Sequence, residues 1–250
     1  QQPYAYFPLH FEPEEVILKR GKFYRDQINV IRNISQSLPI EVDLLVKEHP
    51  AMKLLGWRDL DFYKKIINMP NVKLIHPSVS NETLMQNSKI ITTIAGTTGI
   101  EAAFYGKPSV VFTDVNYSTL SCVFTVKNLE ELPNIIKRCL NSKVDLAELN
   151  YYIDKLEESS FSMDVFKLTT SASHTFGLGG FLEINKIDES KMKKFLEEHK
   201  NEFDELADEH IKKIQLIKHK TYGIWNGNIY RNFNQNKKEL EIIADEHIRK

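Results

Sequence analysis

The chain has 250 residues, of which 42% are hydrophobic and 27% charged, and its formal net charge is −1. This near-neutral balance gives no reason to expect nucleic acid or another polyanion as a partner. The two cysteines, Cys122 and Cys139, are too few for a disulfide framework, which predicts a reducing cytoplasmic location. No apolar run in the sequence approaches the ~20 residues that a membrane span needs.

Short apolar runs alternate with helical spacings through about residue 140. The predicted strands are 4–9, 41–47, 72–75, 89–94, 109–112 and 122–126, and the predicted helices between and after them are 23–38, 59–69, 81–87, 101–105 and 129–140. Such alternation predicts an α/β fold, with a parallel sheet flanked by helices on both faces. Sheets of this kind bind ligands outside the carboxyl ends of their strands.

The composition changes after residue 142. Residues 144–158 and 190–220 are rich in Lys and Glu and have helical character, and the small residues of 169–180 between them predict a loop. We therefore expect two domains: an α/β domain at 1–142 and a charged, mainly helical region at 143–250.

The segment Ala95-Gly96-Thr97-Thr98-Gly99 lies between a β-rich run and a short helix. Small residues let a ligand approach the backbone, and unpaired amides at a helix start favour anions. Thr97 and Thr98 add hydroxyl donors, and Glu101 follows one turn later, so a ligand with a phosphate and a ribose suits this turn. The same residue types also serve as caps and close-packing residues in many α/β proteins. The turn fits neither the dinucleotide fingerprint nor the P-loop.

A second group of candidate residues lies at other predicted strand ends. His49 is held extended by Pro50 and can donate to a phosphate oxygen, or simply bond a backbone carbonyl. Lys47 lies on the same strand face two residues earlier and can add positive charge. Further polar residues at strand ends are His10 and Glu12, with either a cleft-facing or a structural role, and His76 followed by Pro77.

Four segments together resemble the capsular-polysaccharide biosynthesis glycosyltransferases, which are relatives of the bacterial Kdo transferases and, more distantly, of sialyltransferases. They are YFPLHFEPE (6–14), VKEHP (46–50), the pair Asn71-Val72 and IAGTTGIEAAFYGKPSVVF (94–112). The resemblance covers roughly residues 4–140. It implies a Rossmann-like domain that forms the nucleotide-binding, C-terminal half of a GT-B fold.

The resemblance also implies roles for individual residues. His49, Pro50 and the turn Gly96-Thr97-Thr98 would hold the phosphate of a CMP-sugar or of another nucleotide-activated sugar. Glu101 would bond the ribose hydroxyls, and the loop at His76 would lie near the base. His49 would act in catalysis by stabilising the leaving phosphate, and Lys47 would support it.

The resemblance further implies transfer to a saccharide or lipid-linked acceptor. It implies a location in the cytoplasm or at the inner membrane face, and association with an export complex. We expect transfer without a metal or other cofactor.

The chain departs from the family pattern at its start. It begins with Gln-Gln rather than Met, at the strand that would open the second GT-B domain. We therefore expect that it is a piece of a longer enzyme or a degenerate relative, and that the general base lies in another domain.

Three other functions stay open at this point. One is a CDP-alcohol phosphotransferase of the teichoic-acid type, although 95–98 is not its Asp-Tyr-Ser-Ser-like turn. Another is a non-catalytic nucleotide-binding or assembly module whose charged helices dock partners. A third is a sugar-nucleotide epimerase, which would need cleft carboxylates that the sequence does not indicate.

Overall fold

A computed structural model describes residues 2–14, 16–176 and 188–219. It contains one sheet of six parallel strands in the order β3-β2-β1-β4-β5-β6. The strands are β1 Tyr4–Pro8, β2 Asp43–Lys47, β3 Val72–Ile75, β4 Ile90–Thr93, β5 Ser109–Val111 and β6 Val123–Thr125. The predicted Rossmann-like fold class is confirmed, and each observed strand lies within a predicted one.

Five helices accompany the strands: α1 Gln27–Ser37, α2 Leu60–Ile67, α3 Asn81–Asn87, α4 Thr98–Phe104 and α5 Leu132–Leu140. Four helices follow: α6 Leu146–Ser159, α7 Val165–Phe176, α8 Glu189–Glu198 and α9 Lys200–His219. The predicted loop at 169–180 is wrong as far as Phe176, because those residues complete α7, and its remainder lies outside the described residues. Residues 16–20 form a single π-helical turn.

Alternation along the strands places helices on both faces of the sheet. In β1, Ala5 and Phe7 are fully buried in the core cluster that contains α1 and α5, whereas Tyr4 and Tyr6 pack in a cluster with residues of α3 and α4. Burial on both faces explains why the strands read as nearly continuous apolar runs in the sequence.

The chain divides into two compact units, residues 1–154 and 155–250. The second unit has its own aromatic contacts, in which the Phe195 ring lies 5.0 Å from that of Phe176 and 4.5 Å from that of His199. The domain limits predicted from composition, 1–142 and 143–250, stay a prediction. No described helix combines the length and apolarity needed to cross a membrane.

Candidate functional site

The strand order reverses direction between β1 and β4, and a crevice opens there at the carboxyl ends of the strands. Chain connections on the two sides of such a switch point run away from each other, which leaves room for a ligand. A cavity of about 270 Å³ occupies this position. Its wall includes these predicted site residues: His10, His49, Pro50, Gly96, Thr97, Thr98 and Glu101. The fold thus brings together residues from three separate strand ends.

His49 follows β2 and is exposed at the cavity wall. Its extended backbone (φ −65°, ψ 128°) precedes Pro50, as the sequence predicted. The Nδ1 atom accepts a hydrogen bond from the amide of Ala51 at 3.2 Å. Because an accepting nitrogen carries no proton in neutral imidazole, the proton is on Nε2. His49 therefore offers its Nε2–H group as a donor to a ligand.

His76 repeats this arrangement at the end of β3. Its Nδ1 accepts from the amide of Ser78 at 3.2 Å and lies 2.7 Å from the hydroxyl oxygen of the same residue. However, His76 lines a second, larger cavity of about 670 Å³, whose wall also contains Trp57 and Tyr63. Glu48 and Pro50 line both cavities, so the two cavities are adjacent.

The Gly96 turn has less room than a side chain would need. A Cβ atom at Gly96 would lie 2.8 Å from the Thr93 hydroxyl and 3.3 Å from Cε1 of His10. One at Gly99 would lie 2.5 Å from the Tyr117 hydroxyl, which itself donates to the carbonyl of Gly96. These contacts give both glycines a packing reason in addition to any ligand.

The sequence predicted unpaired amides in this turn, but two of them are hydrogen-bonded within the protein. The amide of Gly96 donates to the Thr93 hydroxyl at 3.1 Å, and that of Gly99 to the carbonyl of Gly96 at 3.3 Å. Within the described residues, the amides of Thr97 and Thr98 have no acceptor. The predicted helix at 101–105 also begins earlier, at Thr98.

Glu101 lies on the exposed side of α4, and its Oε1 accepts from the Thr97 hydroxyl at 2.6 Å. This bond fixes the carboxylate at the cavity wall and leaves Oε2 as an acceptor for a ligand hydroxyl. It also uses the Thr97 hydroxyl, so of the two predicted hydroxyl donors only that of Thr98 is available to a ligand.

Lys47 does not line the cavity. Its side chain is only 3% exposed, and its Nζ donates at 2.5 Å to Oδ1 of Asn81, which does line the cavity. The hydroxyl of buried Tyr6 donates to the same oxygen at 3.0 Å. Burial lowers the pKa of Lys47, because a low-dielectric environment disfavours the ammonium form.

His10 is a buried wall residue with several partners. Its Nε2 accepts from the amide of Ile94 at 3.2 Å and lies 3.1 Å from the hydroxyl oxygen of Thr93. Burial, followed by the influence of His49 and Arg58, lowers the pKa of His10 to about 4. The ring is therefore neutral near pH 7, with its proton on Nδ1, which lies 3.8 Å from Oε2 of Glu14.

Glu12 forms an ion pair with Arg58 and is absent from the walls of both cavities. The Arg58 guanidinium, 7% exposed, also contacts Oε2 of Glu48 at 2.9 Å and the carbonyl of His10. Oε2 of Glu48 additionally accepts from the Tyr63 hydroxyl at 2.8 Å. This network ties the loop after β1 to the end of β2.

Sequence reasoning missed Arg58, Glu48, Tyr63 and Asn81. Glu48 had a local signal, since it lies between Lys47 and His49. Arg58 had none, because a lone arginine in a loop indicates nothing until its partners are known.

A set of three or more His, Cys, Asp or Glu side chains suited to a metal ion does not occur in the described part of the chain. Fold and crevice together define a Rossmann-like domain with a cavity at the carboxyl ends of its strands.

Residues 21–122 match the model of the family described as capsule polysaccharide biosynthesis protein. The resemblance seen in the motifs is thereby confirmed for this region, which contains VKEHP, the pair Asn71-Val72 and the whole glycine-threonine segment. A comparison with curated proteins gives no significant match.

Among solved structures, the chain is similar to UDP-GlcNAc 2-epimerase of Methanocaldococcus jannaschii (TM-score 0.43, 17% identity, covering 62% of this chain and 45% of that one). It is also similar to the β-Kdo 2,7 transferase of KpsC from Thermosulfurimonas dismutans (TM-score 0.42, 11% identity, covering 62% of this chain and 55% of that one). A third similar structure is Anabaena HepE in complex with UDP and glucose (TM-score 0.38, 16% identity, covering 63% of this chain and 48% of that one). The matched region spans about half the length of these proteins. At TM-scores below 0.5 these similarities establish no shared function.

Proposed function

We propose that this chain is the donor-binding half of a glycosyltransferase that uses a nucleotide-activated sugar, a CMP-sugar, in capsule or surface polysaccharide synthesis. The observation that carries the proposal is the position and protonation of His49. Its N–H donor is held at the crevice, opposite a turn whose Thr97 and Thr98 amides have no acceptor among the described residues. The family match over 21–122 supports the same conclusion.

The proposed reaction is direct displacement at the anomeric carbon of the sugar. An acceptor hydroxyl forms the new bond as the nucleotide phosphate leaves with the bonding electron pair, so negative charge develops on the phosphate oxygens. Preorganised donors that are aimed at developing charge lower the barrier, because they need no reorganisation during the reaction. His49 and the amides of Thr97 and Thr98 are these donors in the proposal.

The nucleoside part of the donor would extend toward the second cavity. Oε2 of Glu101 accepts a ribose hydroxyl, and the loop at His76 lies beside the base. Trp57 and Tyr63 in the same wall offer aromatic surface for a pyrimidine. We propose that transfer needs no metal, and turnover that persists in EDTA tests this point.

The acceptor site and the general base are proposed to lie in another domain, as in a two-domain GT-B enzyme. A cytoplasmic location, at the inner membrane face, is also proposed. It is supported by Cys122 and Cys139, which are both buried and unpaired.

The experiment is calorimetric titration of the chain with CMP, CDP and UDP. We expect CMP to bind, and binding to weaken at least tenfold in His49→Ala and in Glu101→Ala. His174→Ala is the matched control, because this histidine is exposed in the second compact unit. Preference for UDP would overturn the CMP assignment. Equal CMP affinity of His49→Ala and His174→Ala would overturn the assignment of His49 to the site. Absence of binding by any nucleotide would favour an assembly module.

A further inference from the structure

A basic and apolar surface, formed by residues 18–25 and here called the 18–25 patch, has no role in the proposed reaction. Lys19, Arg20, Lys22 and Arg25 supply four cations within eight residues, although the whole chain has a net charge of −1. Leu18 is 44% exposed and Phe23 is 82% exposed between them. Such a concentration of positive charge around exposed apolar side chains is unusual for a surface that faces only water.

The fold holds this patch in place. Ile17, next to the patch, is 1% exposed, and a Cβ atom at Gly21 would lie 3.0 Å from Cγ2 of Ile94. The Tyr24 ring packs against Phe112 with centroids 5.2 Å apart. Phe23 is therefore exposed between two residues that pack against the core, Gly21 and Tyr24.

These anchors also locate the patch relative to the crevice. Ile94 and Phe112 directly follow β4 and β5, which places the patch at the carboxyl edge of the sheet. Val16, just before the patch, lines the cavity that contains His49. The patch and the opening of the proposed active site are therefore on the same side of the domain.

Part of the positive charge is offset, because Glu14 and Glu15 precede the patch in the sequence and Lys19 already has an interaction partner. Asp26 follows the patch, but its carboxylate caps α1 by accepting from the amide and side chain of Asn29. Lys22 Nζ lies 4.9 Å from the centre of the Phe23 ring, and Arg25 donates to the carbonyl of Leu18 at 2.8 Å. Lys22 and Arg25 therefore lie beside the two residues whose apolar side chains are exposed.

We propose that the 18–25 patch docks onto an anionic phospholipid surface. Phe23 and Leu18 enter the interface between headgroups and acyl chains, and the exposed cations Arg20 and Lys22 contact lipid phosphates. This combination is what membrane-surface segments use, since apolar insertion and electrostatic attraction add. A dissolved polyanion would explain the cations but would gain nothing from two exposed apolar side chains, which favours the bilayer. The inference does not depend on nucleotide binding.

The test is co-sedimentation of the full chain with two kinds of vesicle. One contains phosphatidylcholine alone, and the other also contains roughly 30% phosphatidylglycerol, an anionic lipid that attracts Lys and Arg. We expect binding only to the anionic vesicles, and weaker binding as salt rises, because ions screen the attraction. Arg20→Gln combined with Lys22→Gln should weaken binding about twentyfold, since each cation near the surface contributes about fivefold. Lys64→Gln combined with Lys89→Gln, which removes two exposed lysines elsewhere, should leave it unchanged.

The apolar contribution has its own matched pair. Phe23→Ala should weaken vesicle binding about tenfold, because it removes the aromatic surface that enters the bilayer. Phe104→Ala, at a phenylalanine that is 58% exposed on α4, should not weaken it. Equal binding of these two variants, binding of the double charge variant at wild-type strength, or no sedimentation of the wild-type chain would each overturn the proposal. If the chain bound heparin more tightly than vesicles, and Phe23→Ala did not change heparin binding, the patch would be a polyanion site and the proposal would be overturned as well.

Discussion

Lys47 Nζ donates to Oδ1 of Asn81 at 2.5 Å, and Tyr6 donates to the same oxygen. Since an ammonium group can only donate, the carbonyl oxygen of Asn81 must face Lys47, which turns the Nδ2 donors away from it. In the described part of the chain, Lys47 has no carboxylate partner within ion-pair distance. The buried cation is therefore balanced only by a neutral amide beside the cavity, an arrangement that a bound anion would stabilise.

Asn81→Asp should change both properties of this pair. A carboxylate would neutralise Lys47, and we expect stability to rise by about 1 kcal/mol, since hydrogen bonds between charged groups are stronger than neutral ones. Nucleotide affinity should fall at least tenfold, because the cavity gains negative charge and loses an amide donor. Urea unfolding and calorimetry measure the two effects. Asn87→Asp, on the same helix, is the control, and unchanged affinity in Asn81→Asp would remove Asn81 and Lys47 from the proposed site.

His49→Ala in the intact enzyme should lower turnover on the order of a hundredfold or more, because removing one donor to a developing anion raises the barrier by about 2.7–4 kcal/mol. Steady-state kinetics with the nucleotide-sugar donor measure this. A rate within a few-fold of wild type would contradict the role of His49 in catalysis.

Arg58→Ala should destabilise the first compact unit by about 3–5 kcal/mol, because it leaves the carboxylate of Glu48, 3% exposed, without its cation. Arg32→Ala should cost less than about 1 kcal/mol, since exposed Arg32 contacts only the side chain of Asn29 in this region. Urea denaturation compares the two variants. A loss at Arg58 no larger than that at Arg32 would show that the network around Glu48 is not structural.

His10 should make stability depend on pH between about 6.5 and about 4. In this window the unfolded chain, in which the pKa of histidine is near its ordinary value, binds a proton that the folded chain does not, because the pKa of His10 is lowered to about 4. Unfolding is therefore favoured as pH falls, and at most about 3 kcal/mol is lost across the window. His10→Asn should flatten this part of the curve relative to wild type, whereas His174→Asn should not. Parallel curves for wild type and His10→Asn would show that His10 titrates normally.

Gly99→Ala should destabilise the fold by about 1–3 kcal/mol, the usual cost of overpacking. The added Cβ would lie 2.5 Å from the Tyr117 hydroxyl, and displacement of Tyr117 would break its bond to Gly96. Thermal unfolding measures the loss. A fully stable Gly99→Ala variant would mean that Tyr117 can move freely, and that packing is not the reason for this glycine.

Local sequence was sufficient for most elements of the α/β domain. Strand β3 and helix α3 have the predicted bounds, and the side chain of Ser80 caps the helix by accepting from the amide of Thr83. These elements are specified by neighbouring residues, through apolar period and capping chemistry. The loop predicted at 169–180 failed because small residues such as Ser171 and Ala172 are compatible with a helix as well as with a loop, and α7 continues through them.

The candidate site was predictable in its residue types but not in its contacts. Motif and position placed His49, Gly96 and Glu101 at strand ends, and the parallel sheet then brought those ends together. The sequence analysis placed Lys47 on the same strand face as His49, where it could add positive charge to the site, whereas the structure buries it against Asn81. For Glu12 both a cleft-facing and a structural role were open, and its ion pair with Arg58 agrees with the structural one.

The sequence by itself determined the Rossmann-like sheet, the strand ends at which polar residues collect and the resemblance to capsule polysaccharide biosynthesis proteins. These properties follow from local sequence patterns, which do not depend on contacts with distant parts of the chain. Only the tertiary structure decided which nitrogen of His49 carries the proton, which carboxylates Arg58 pairs with and which way Asn81 faces. Each of these depends on a partner distant in sequence or on a backbone turn, and hydrogen bonds between such groups exist only once the chain has folded.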